Sequence, residues 1–377
     1  MNQPSRSRAE GMRVGLIGTS WWADSMYLPA LAEHPRGAIT AICGRDLNRA
    51  AEVARDWSVD TVTDDALGLI ESGDIDAVII ASSNQSHHPY CMAALDARIH
   101  VLCEKPIGLT TAEADELAAR AAPLDLATMV PFTYRWMPTN RWFKQLIDDG
   151  YIGRPYHLAM RYYTGYARDS EYKWRFDPAV AGSGVLGDLG SHWLHLARWF
   201  FGEVVEIGAM TSTLVPRDAR PDGDHYEPAE DSAVINARFA NGAYCALQVS
   251  AVCWEGTDFN QTHHFEAHGS DGTLYSVNDW SATQEVRGVR AAEPGPAALL
   301  PVPDQLWDGV RRDRVHDTYR DVFRTTESMT REWLTAASRR QPIEPDLAEG
   351  ARVQRLVDAA VASAADGGRL QDVAPPT

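Results

Sequence analysis

Up to Val130, short apolar runs alternate with helical patterns, and this alternation limits the fold more than any other feature of the sequence. The runs are "MRVGLIG" (12–18), "AITAICG" (38–44), "DAVIIAS" (76–82), "IHVLCEK" (99–105) and "LATMV" (126–130). Strands that are apolar at every position are buried on both faces, which is typical of a parallel sheet with helices on either side. The sequence therefore predicts a doubly wound α/β domain here.

After a linking helix predicted within residues 134–150, the pattern changes to alternating strands. Asn241 and Gly242 separate two of these strands and predict a hairpin. Helices are predicted over about 187–201, 316–338 and 345–365. This half of the chain predicts an α+β domain on a mostly antiparallel sheet, with domain limits at 12–133 and 134–377.

Charge and cysteine content limit which binding partners and which cellular compartment are expected. The net charge of −17 opposes binding to nucleic acid or to an anionic membrane surface. No apolar run approaches the ~20 residues of a membrane span, and the opening "MNQPSRSRAEG" has no apolar core for a secretory signal. The cysteines, five in number, show no metal-ligand spacing. We therefore expect a cytoplasmic protein with free thiols and a small-molecule partner.

The loop "GLIGTSWWAD" follows the first predicted strand and resembles a dinucleotide-binding turn. Gly18, Ser20 and Ala23 occupy the positions of G-x-G-x-x-(G/A), before a helix predicted to begin around Met26. Gly18 permits the tight turn and Ala23 permits close helix–strand packing. Ser20 replaces the usual middle glycine, so its Cβ holds the backbone farther from a pyrophosphate, although its hydroxyl can donate a hydrogen bond.

The end of the second predicted strand bears on the cofactor. NAD sites usually carry an acidic residue there, whereas NADP sites have a small residue with a nearby arginine. This strand ends in Gly44 followed by Arg45, whose guanidinium suits a 2′-phosphate. The sequence predicts NADP as the preferred cofactor. NAD stays open as an alternative, because Asp46 can also reach a ribose.

Five segments in order carry a resemblance to a known family: "GTSWWA", "SSNQSHHP", "CEKPIGLT", "KWRFDPAVAGSGVLGDLGSH" and "RVQRLVDAA". The chain resembles the glucose-fructose oxidoreductase, inositol dehydrogenase and rhizopine-catabolism (Gfo/Idh/MocA) family. The resemblance implies a Rossmann-type domain and a second domain with a large open sheet, for substrate binding and oligomerisation. It also implies hydride exchange between NAD(P) and a hydroxyl or keto carbon of a sugar or cyclitol, in a homo-oligomer (dimer or tetramer).

Three residues are candidates for catalysis. Hydride transfer at a carbon that bears oxygen needs a proton relay and a positive group beside that oxygen. Lys105, at the end of a predicted parallel strand, suits the second task. Asp188 and His192 are four residues apart on a predicted helix, so they share one face and can act as an acid–base pair. The resemblance assigns all three to catalysis.

The resemblance also implies further contacts. Besides the loop and strand-end residues above, those expected at the cofactor are Thr19, Trp21, Trp22, Ser82, Asn84, His87, Glu104, Lys105, Trp174 and Arg175. Those expected at the substrate are Tyr134, Arg135, Trp136 and His195. His195 departs from the family pattern, in which many members carry Asp, and this bears on the polarity of the pocket.

Two other functions and a metal site are also considered. The same scaffold can serve as a cofactor-dependent sensor without turnover, or as a dihydrodiol dehydrogenase. A sensor need not retain Lys105, Asp188 and His192 together. His264 and His268 in "QTHHFEAH" can share a strand face, but no third ligand is evident, so no metal is expected.

Overall fold

The computed structural model describes residues 11–32, 34–258, 260–280 and 284–373. The expectation about a secretory signal concerns mainly residues that lie outside these ranges. The chain forms two compact units. The first comprises the residues up to Ile107, Glu113–Pro131 and Val322–Gly350, and the second comprises Gly108–Ala112, Phe132–Asp321 and the residues from Ala351 on. The domain limits at 12–133 and 134–377 stay a prediction.

The first unit is built on a sheet of six parallel strands in the order β3-β2-β1-β4-β5-β6. These strands are β1 Met12–Ile17, β2 Gly37–Cys43, β3 Thr61–Thr63, β4 Ala77–Ile80, β5 His100–Cys103 and β6 Thr128–Met129. Every residue of β4 and of β5 is buried, as the continuous apolar runs predict. The order reverses direction at β1, which is the arrangement of a doubly wound domain.

Helices flank this sheet. Between its strands lie α1 Leu28–Ala32, α2 Leu47–Asp56, α3 Ala66–Glu71, α4 His87–Asp96 and α5 Thr111–Ala121. A π-helical turn over Ala23–Tyr27 leads into α1, so the prediction of a helix beginning around Met26 is wrong. The earlier start follows from Ser20, whose Oγ accepts the Ala23 N–H at 3.3 Å and whose carbonyl accepts the Asp24 N–H at 3.1 Å.

The second unit is built on a nine-stranded sheet in the order β14-β13-β12-β11-β7-β10-β9-β8-β15. Its strands are β7 Pro155–Tyr163, β8 Val204–Ser212, β9 Ser232–Phe239, β10 Tyr244–Ser250, β11 Thr262–Gly269, β12 Gly272–Asp279, β13 Gln284–Arg290, β14 Glu293–Leu299 and β15 Gln371–Asp372. All neighbours are antiparallel except β7 and β10. The predicted hairpin at Asn241 and Gly242 joins β9 to β10 and is confirmed. The predicted fold class is confirmed for both halves.

The remaining helices are α6 Pro138–Asp148, α7 Pro178–Ala181, α8 Ser191–Phe201, α9 Asp304–Trp307, α10 Val315–Thr325, α11 Thr330–Ser338 and α12 Leu347–Ala365. The single helix predicted over 316–338 is wrong, because the chain breaks between α10 and α11. Met329, directly before α11, has a φ of 46°, and the hydroxyl of Thr326 donates to the Val322 carbonyl at 2.7 Å. These local features end α10 although its apolar spacing continues.

One face of the nine-stranded sheet carries the core of the second unit. The indole of Trp193 on α8 stacks on Tyr162 of β7, with ring centroids 4.7 Å apart. Phe143 on α6 packs near Phe265 of β11, and both are fully buried. On the other face the side chains are exposed or half-buried, and Tyr244 of β10 is among the exposed ones. Aromatic packing on one side thus fixes α8, which carries His192.

A glycine substitution tests the close packing of the loop after β1. Gly18 has a φ of 114°, and a Cβ there would lie 2.2 Å from the Ala81 carbonyl oxygen, whereas Gly73, with a φ of 75°, has nothing within 4 Å. We expect Gly73→Ala to cost about 1–2 kcal/mol of unfolding free energy for its backbone alone. Gly18→Ala should cost about 2–5 kcal/mol, because the clash adds to the backbone term. Urea denaturation of both variants measures this, and equal losses would contradict it.

Candidate functional site

Loops after four parallel strands gather at the carboxyl edge of the first sheet. The N–H of Gly18, after β1, donates to the Cys43 carbonyl at 2.9 Å. Thr19 lies against Gly44, where an added Cβ would be 2.9 Å from the Thr19 Cγ2. Small residues at Gly18 and Gly44 therefore let two loops approach each other. The helical turn that follows Gly18 begins at this edge, and the amino-terminal end of a helix fits a dinucleotide pyrophosphate.

The two tryptophans of this loop differ in environment. Trp21 is 65% exposed, whereas Trp22 is half-buried, and their ring centroids are 6.2 Å apart. Ala23 is fully buried, as its predicted packing role requires. Trp21 therefore presents a large aromatic surface to solvent at the edge where the resemblance places the cofactor.

Lys105 lies two residues after the end of β5, directly after Glu104, and is half-buried. Its N–H donates to the Glu104 carboxylate at 3.2 Å, and the Tyr27 hydroxyl donates to the other oxygen of that carboxylate. Burial raises the pKa of Glu104, while the positive charge of Lys105 and the Tyr27 hydroxyl act in the opposite direction. The peptide bond between Lys105 and Pro106 is cis. Glu104 thus joins the β5 loop to the turn of Tyr27.

His87 holds two of these loops together. Its ring is 1% exposed, with Nδ1 2.7 Å from the Pro106 carbonyl and Nε2 3.2 Å from the Ser82 carbonyl. Burial lowers the pKa of His87, so the neutral ring donates one hydrogen bond, and the shorter distance assigns it to Pro106. Asn84 is also buried. Contact of His87, Asn84 or Ser82 with a cofactor stays a prediction.

Arg45 and Asp46 follow β2 and have different partners. Asp46 caps α2, accepting the N–H groups of Asn48 at 2.9 Å and Arg49 at 3.2 Å. Arg45 is exposed, and its side chain makes no hydrogen bond or ion pair within the described ranges. One oxygen of the Asp46 carboxylate therefore caps α2, while the Arg45 guanidinium is available to bind an anion.

Asp188 lies at the centre of a polar cluster in the second unit. It sits in a π-helical turn, Leu186–Gly190, that runs directly into α8. The Tyr166 hydroxyl donates to Asp188 Oδ2 at 2.6 Å, and Arg175 Nε lies 3.5 Å from Oδ1. Burial, followed by the Asp188 charge, raises the pKa of Tyr166 well above its usual range. Tyr166 therefore remains a phenol donor to this carboxylate.

His192 lies one helical turn after Asp188 and is 7% exposed. Its ring meets Tyr134 edge-on, with centroids 4.8 Å apart. His195 is buried and stacks on Phe132 at 4.4 Å. Of the predicted substrate residues, Tyr134 thus lies beside His192, whereas His195 is packed against an aromatic ring.

The other residues of this unit that were predicted to contact substrate or cofactor have different neighbours. Arg135 lies over the Trp199 ring at 5.2 Å, and Trp136 is buried. Trp174 is covered by the guanidinium of Arg175 at 4.6 Å. Arg175, predicted as a cofactor contact, thus joins Trp174 to the Asp188 carboxylate, and its contact with a cofactor stays a prediction.

The histidines of β11 have other contacts. His263 is buried and accepts the Trp280 indole N–H at 3.1 Å, and burial lowers its pKa to about 3. His264 and His268 share the opposite face and flank Glu266 at 3.5 and 3.4 Å. Within the part of the chain that the structure describes, no group of three or more His, Cys, Asp or Glu side chains is arranged to hold a metal ion. No described helix is long and apolar enough to cross a membrane.

The sequence did not identify Tyr166, nor Tyr162, which lies next to Tyr134, and its hydrogen-bond partner Gln261. The Tyr134 and Tyr162 hydroxyls lie 3.5 Å apart, and the Tyr162 hydroxyl donates to Gln261 at 2.8 Å. Burial raises the pKa of both tyrosines, so they stay protonated. No motif marks these residues, since they meet only when β7 packs on α8.

Similarity to known proteins covers both halves of the chain. Residues 12–132 match a family described as "Oxidoreductase family, NAD-binding Rossmann fold". Residues 140–275 match the GFO/IDH/MocA C-terminal domain.

Individual relatives extend this similarity. A levoglucosan dehydrogenase of Pseudarthrobacter phenanthrenivorans is 29% identical over 94% of this chain and 97% of its own. A myo-inositol 2-dehydrogenase of Thermotoga maritima is 28% identical over 71% of this chain and 75% of its own. A solved structure of levoglucosan dehydrogenase in complex with NADH and levoglucosan superposes with a TM-score of 0.86 at 25% identity, covering 98% of this chain and 100% of that one. The chain belongs to the Gfo/Idh/MocA family of oxidoreductases with an NAD-binding Rossmann fold.

Proposed function

We propose that this protein exchanges a hydride between a nicotinamide cofactor and a hydroxyl or keto carbon of a sugar or cyclitol. The observation that carries the proposal is the placement of Asp188, which is held by Tyr166 and Arg175 one helical turn before His192. The names of the related levoglucosan and inositol dehydrogenases support a substrate rich in hydroxyl groups. When bound, the nicotinamide supplies the hydride chemistry.

Side chains of this protein would transfer the hydroxyl proton and stabilise the charge that develops on the substrate oxygen. His192 takes the hydroxyl proton during oxidation and returns it during reduction, with the Asp188 carboxylate stabilising the charged ring. The Lys105 ammonium stabilises negative charge as it develops on the substrate oxygen. Tyr166 holds the carboxylate in place from its other side. Tyr134, whose ring lies against His192, is proposed to line the substrate pocket together with Arg135, Trp136 and His195.

We also propose NADP as the preferred cofactor. The exposed Arg45 guanidinium follows β2, and Asp46 is engaged in capping α2. The solved levoglucosan dehydrogenase complexes hold NADH, so the preference is a property we assign to this chain's own strand end. The Gly18–Ala23 loop would receive the pyrophosphate in either cofactor, with Trp21 and Trp22 on its nicotinamide side.

We also propose domain limits, an oligomeric state and a cellular location for this protein. Residues 12–133 would form the dinucleotide-binding domain, and 134–377 the domain for substrate binding and oligomerisation. On the open face of the nine-stranded sheet, Met210, Val234 and Tyr244 are 73%, 41% and 53% exposed. Exposed apolar side chains on one face of a sheet support a dimer or tetramer formed through this face. A cytoplasmic location is proposed because all five cysteines are free.

Removal of the proposed catalytic groups should strongly lower turnover without abolishing cofactor binding. We expect Lys105→Ala and His192→Ala each to lower kcat by about 100-fold or more, since both act mainly in the transition state. His192→Ala should also remove a titration from the pH–rate profile. Lys144→Ala, which breaks only the surface ion pair with Asp148, is the control and should retain full activity. Turnover near wild type in both site variants would refute the assignment.

Removal of Arg45 tests the cofactor preference. We expect wild type to bind NADPH more tightly than NADH. Arg45→Ala should weaken NADPH binding by about 10- to 100-fold, because charge-assisted hydrogen bonds to phosphate are lost. NADH has no 2′-phosphate and should lose little affinity, and Ser20→Gly should affect both cofactors alike. Calorimetric titration of both cofactors into wild type and the two variants measures all six affinities, and equal losses for the two cofactors in Arg45→Ala would rule out the phosphate contact.

Tyr166→Phe tests whether Tyr166 positions Asp188. Loss of its hydrogen bond makes the carboxylate more basic, which also raises the pKa of His192 beside it. We expect the acidic limb of the kcat/KM profile to move up by about one pH unit, the equivalent of one charged hydrogen bond. Tyr163→Phe is the matched control, because that hydroxyl donates to Gln248 on the open sheet face. An unshifted profile in Tyr166→Phe would show that Tyr166 does not act through Asp188.

A further inference from the structure

A depression of about 420 Å³ lies at the amino-terminal edge of the parallel sheet, opposite the loops described above. Its floor is formed by Met12, Ile75, Ile99 and His100, where β1, β4 and β5 begin. His100 is buried, and its Nδ1 accepts the Ala127 N–H at 2.9 Å. The depression therefore rests on ordered strand ends and has the volume of a small-ligand site.

Three arginines line this depression: Arg98, Arg339 and Arg340. All three are exposed, and within the described residues their side chains make no hydrogen bond or ion pair. The chain carries 52 acidic and 35 basic residues, so acidic partners are abundant elsewhere on the molecule. Three unpaired arginines around one concave surface in an acidic protein concentrate positive potential there.

The carboxylate within the depression does not cancel this charge. Asp76 is held by Arg13, whose Nε and terminal nitrogen lie 3.1 and 2.8 Å from its two oxygens. This ion pair lowers the pKa of Asp76 and leaves the pair with no net charge. Asp125 acts on His100 from outside the lining and opposes an anion. Burial and the Arg340 charge lower the pKa of His100, which is therefore neutral. Asp74, which precedes the lining residue Ile75 and acts on Arg13, also opposes an anion, but the three arginines outnumber these two carboxylates.

Two of the arginines occupy backbone positions that favour glycine. Arg98 follows the C-cap of α4 with a φ of 57°, and Arg340 follows the C-cap of α11 with a φ of 51°. This position at a helix end is usually Gly, sometimes Asn, because a side chain there strains the backbone. Both strained positions therefore carry an arginine that lines the same depression.

The helix dipole alone does not explain these side chains. A cation near a helix C-terminus is favourable, but one in the last turn achieves this without a left-handed backbone. The two helix ends carry partial negative charge of about half an elementary charge each. Against this, the three arginines of the lining carry one positive charge each, so the net charge there is positive.

We propose that this depression binds a small, multiply charged anion, through Arg98, Arg339 and Arg340. Guanidinium groups bind phosphate and carboxylate through paired hydrogen bonds, so a phosphate ester and a polycarboxylate share the required chemistry. The site is distinct from the cofactor loop, since it lies at the opposite edge of the same sheet. The proposal does not depend on the proposed catalytic function.

Glycine variants test the site without damage to the fold. Arg98→Gly and Arg340→Gly remove a guanidinium and also relieve the backbone, so both should be at least as stable as wild type. Ser58→Gly is the matched control, because Ser58 has the same backbone conformation after α2, with a φ of 56°, and lies outside the depression. Inorganic pyrophosphate and citrate are titrated calorimetrically, at low ionic strength, into protein saturated with NADPH so that the cofactor loop is filled.

We expect wild type and Ser58→Gly to bind at least one probe with equal affinity, and each arginine variant to bind it about tenfold more weakly. Tighter binding of pyrophosphate would identify a phosphate ester as the ligand class, and tighter binding of citrate a polycarboxylate. Absence of binding to wild type, or equal affinity in the arginine variants, would overturn the proposal.

Discussion

Parallel pairing of β1 with β2 and β4 is the constraint on which the first unit depends. Hydrogen bonds in a parallel register bring the carboxyl ends of all the strands to one edge. Gly18, Gly44, Ser82 and Lys105 each follow a strand, so the same pairing gathers them although they are far apart in sequence. The carbonyl of Ala81 packs so closely on Gly18 that no side chain fits there. The same register fixes the amino-terminal edge of this sheet, where the arginine-lined depression lies.

In the second unit, the central constraint is a charged carboxylate that is partly buried. Asp188 has 19% of its side chain exposed and has Tyr166 and Arg175 as partners. Burial of a charge is costly unless hydrogen bonds and an opposite charge compensate for it. The stacking of Trp193 on Tyr162 fixes α8 on the sheet. The aromatic core thus keeps His192 in position one turn beyond Asp188.

The sequence was most informative where a pattern is local. The apolar runs of β1, β2, β4 and β5 and the Asn241–Gly242 hairpin follow from residue order alone, and so does the spacing of Asp188 and His192. The short strand β3 and the helix α3 were missed, because three and six residues give too little periodicity. Tyr166 lies beyond the end of β7 at Tyr163, and no motif marks it. Its contact with Asp188 spans 22 residues and arises only from tertiary packing.

Transfer of an isotope label tests the central claim, hydride exchange with a sugar or cyclitol, most directly. Polyols and anhydrosugars carrying deuterium at the carbinol carbons are incubated with the protein and NADP, and the reduced cofactor is analysed by mass spectrometry. Our account predicts one deuterium atom in each molecule of NADPH formed, with a slower rate than for the unlabelled substrate. Tight cofactor binding without reduction by any member of the panel, and without oxidation of NADPH by the corresponding keto compounds, would contradict it and favour a sensor.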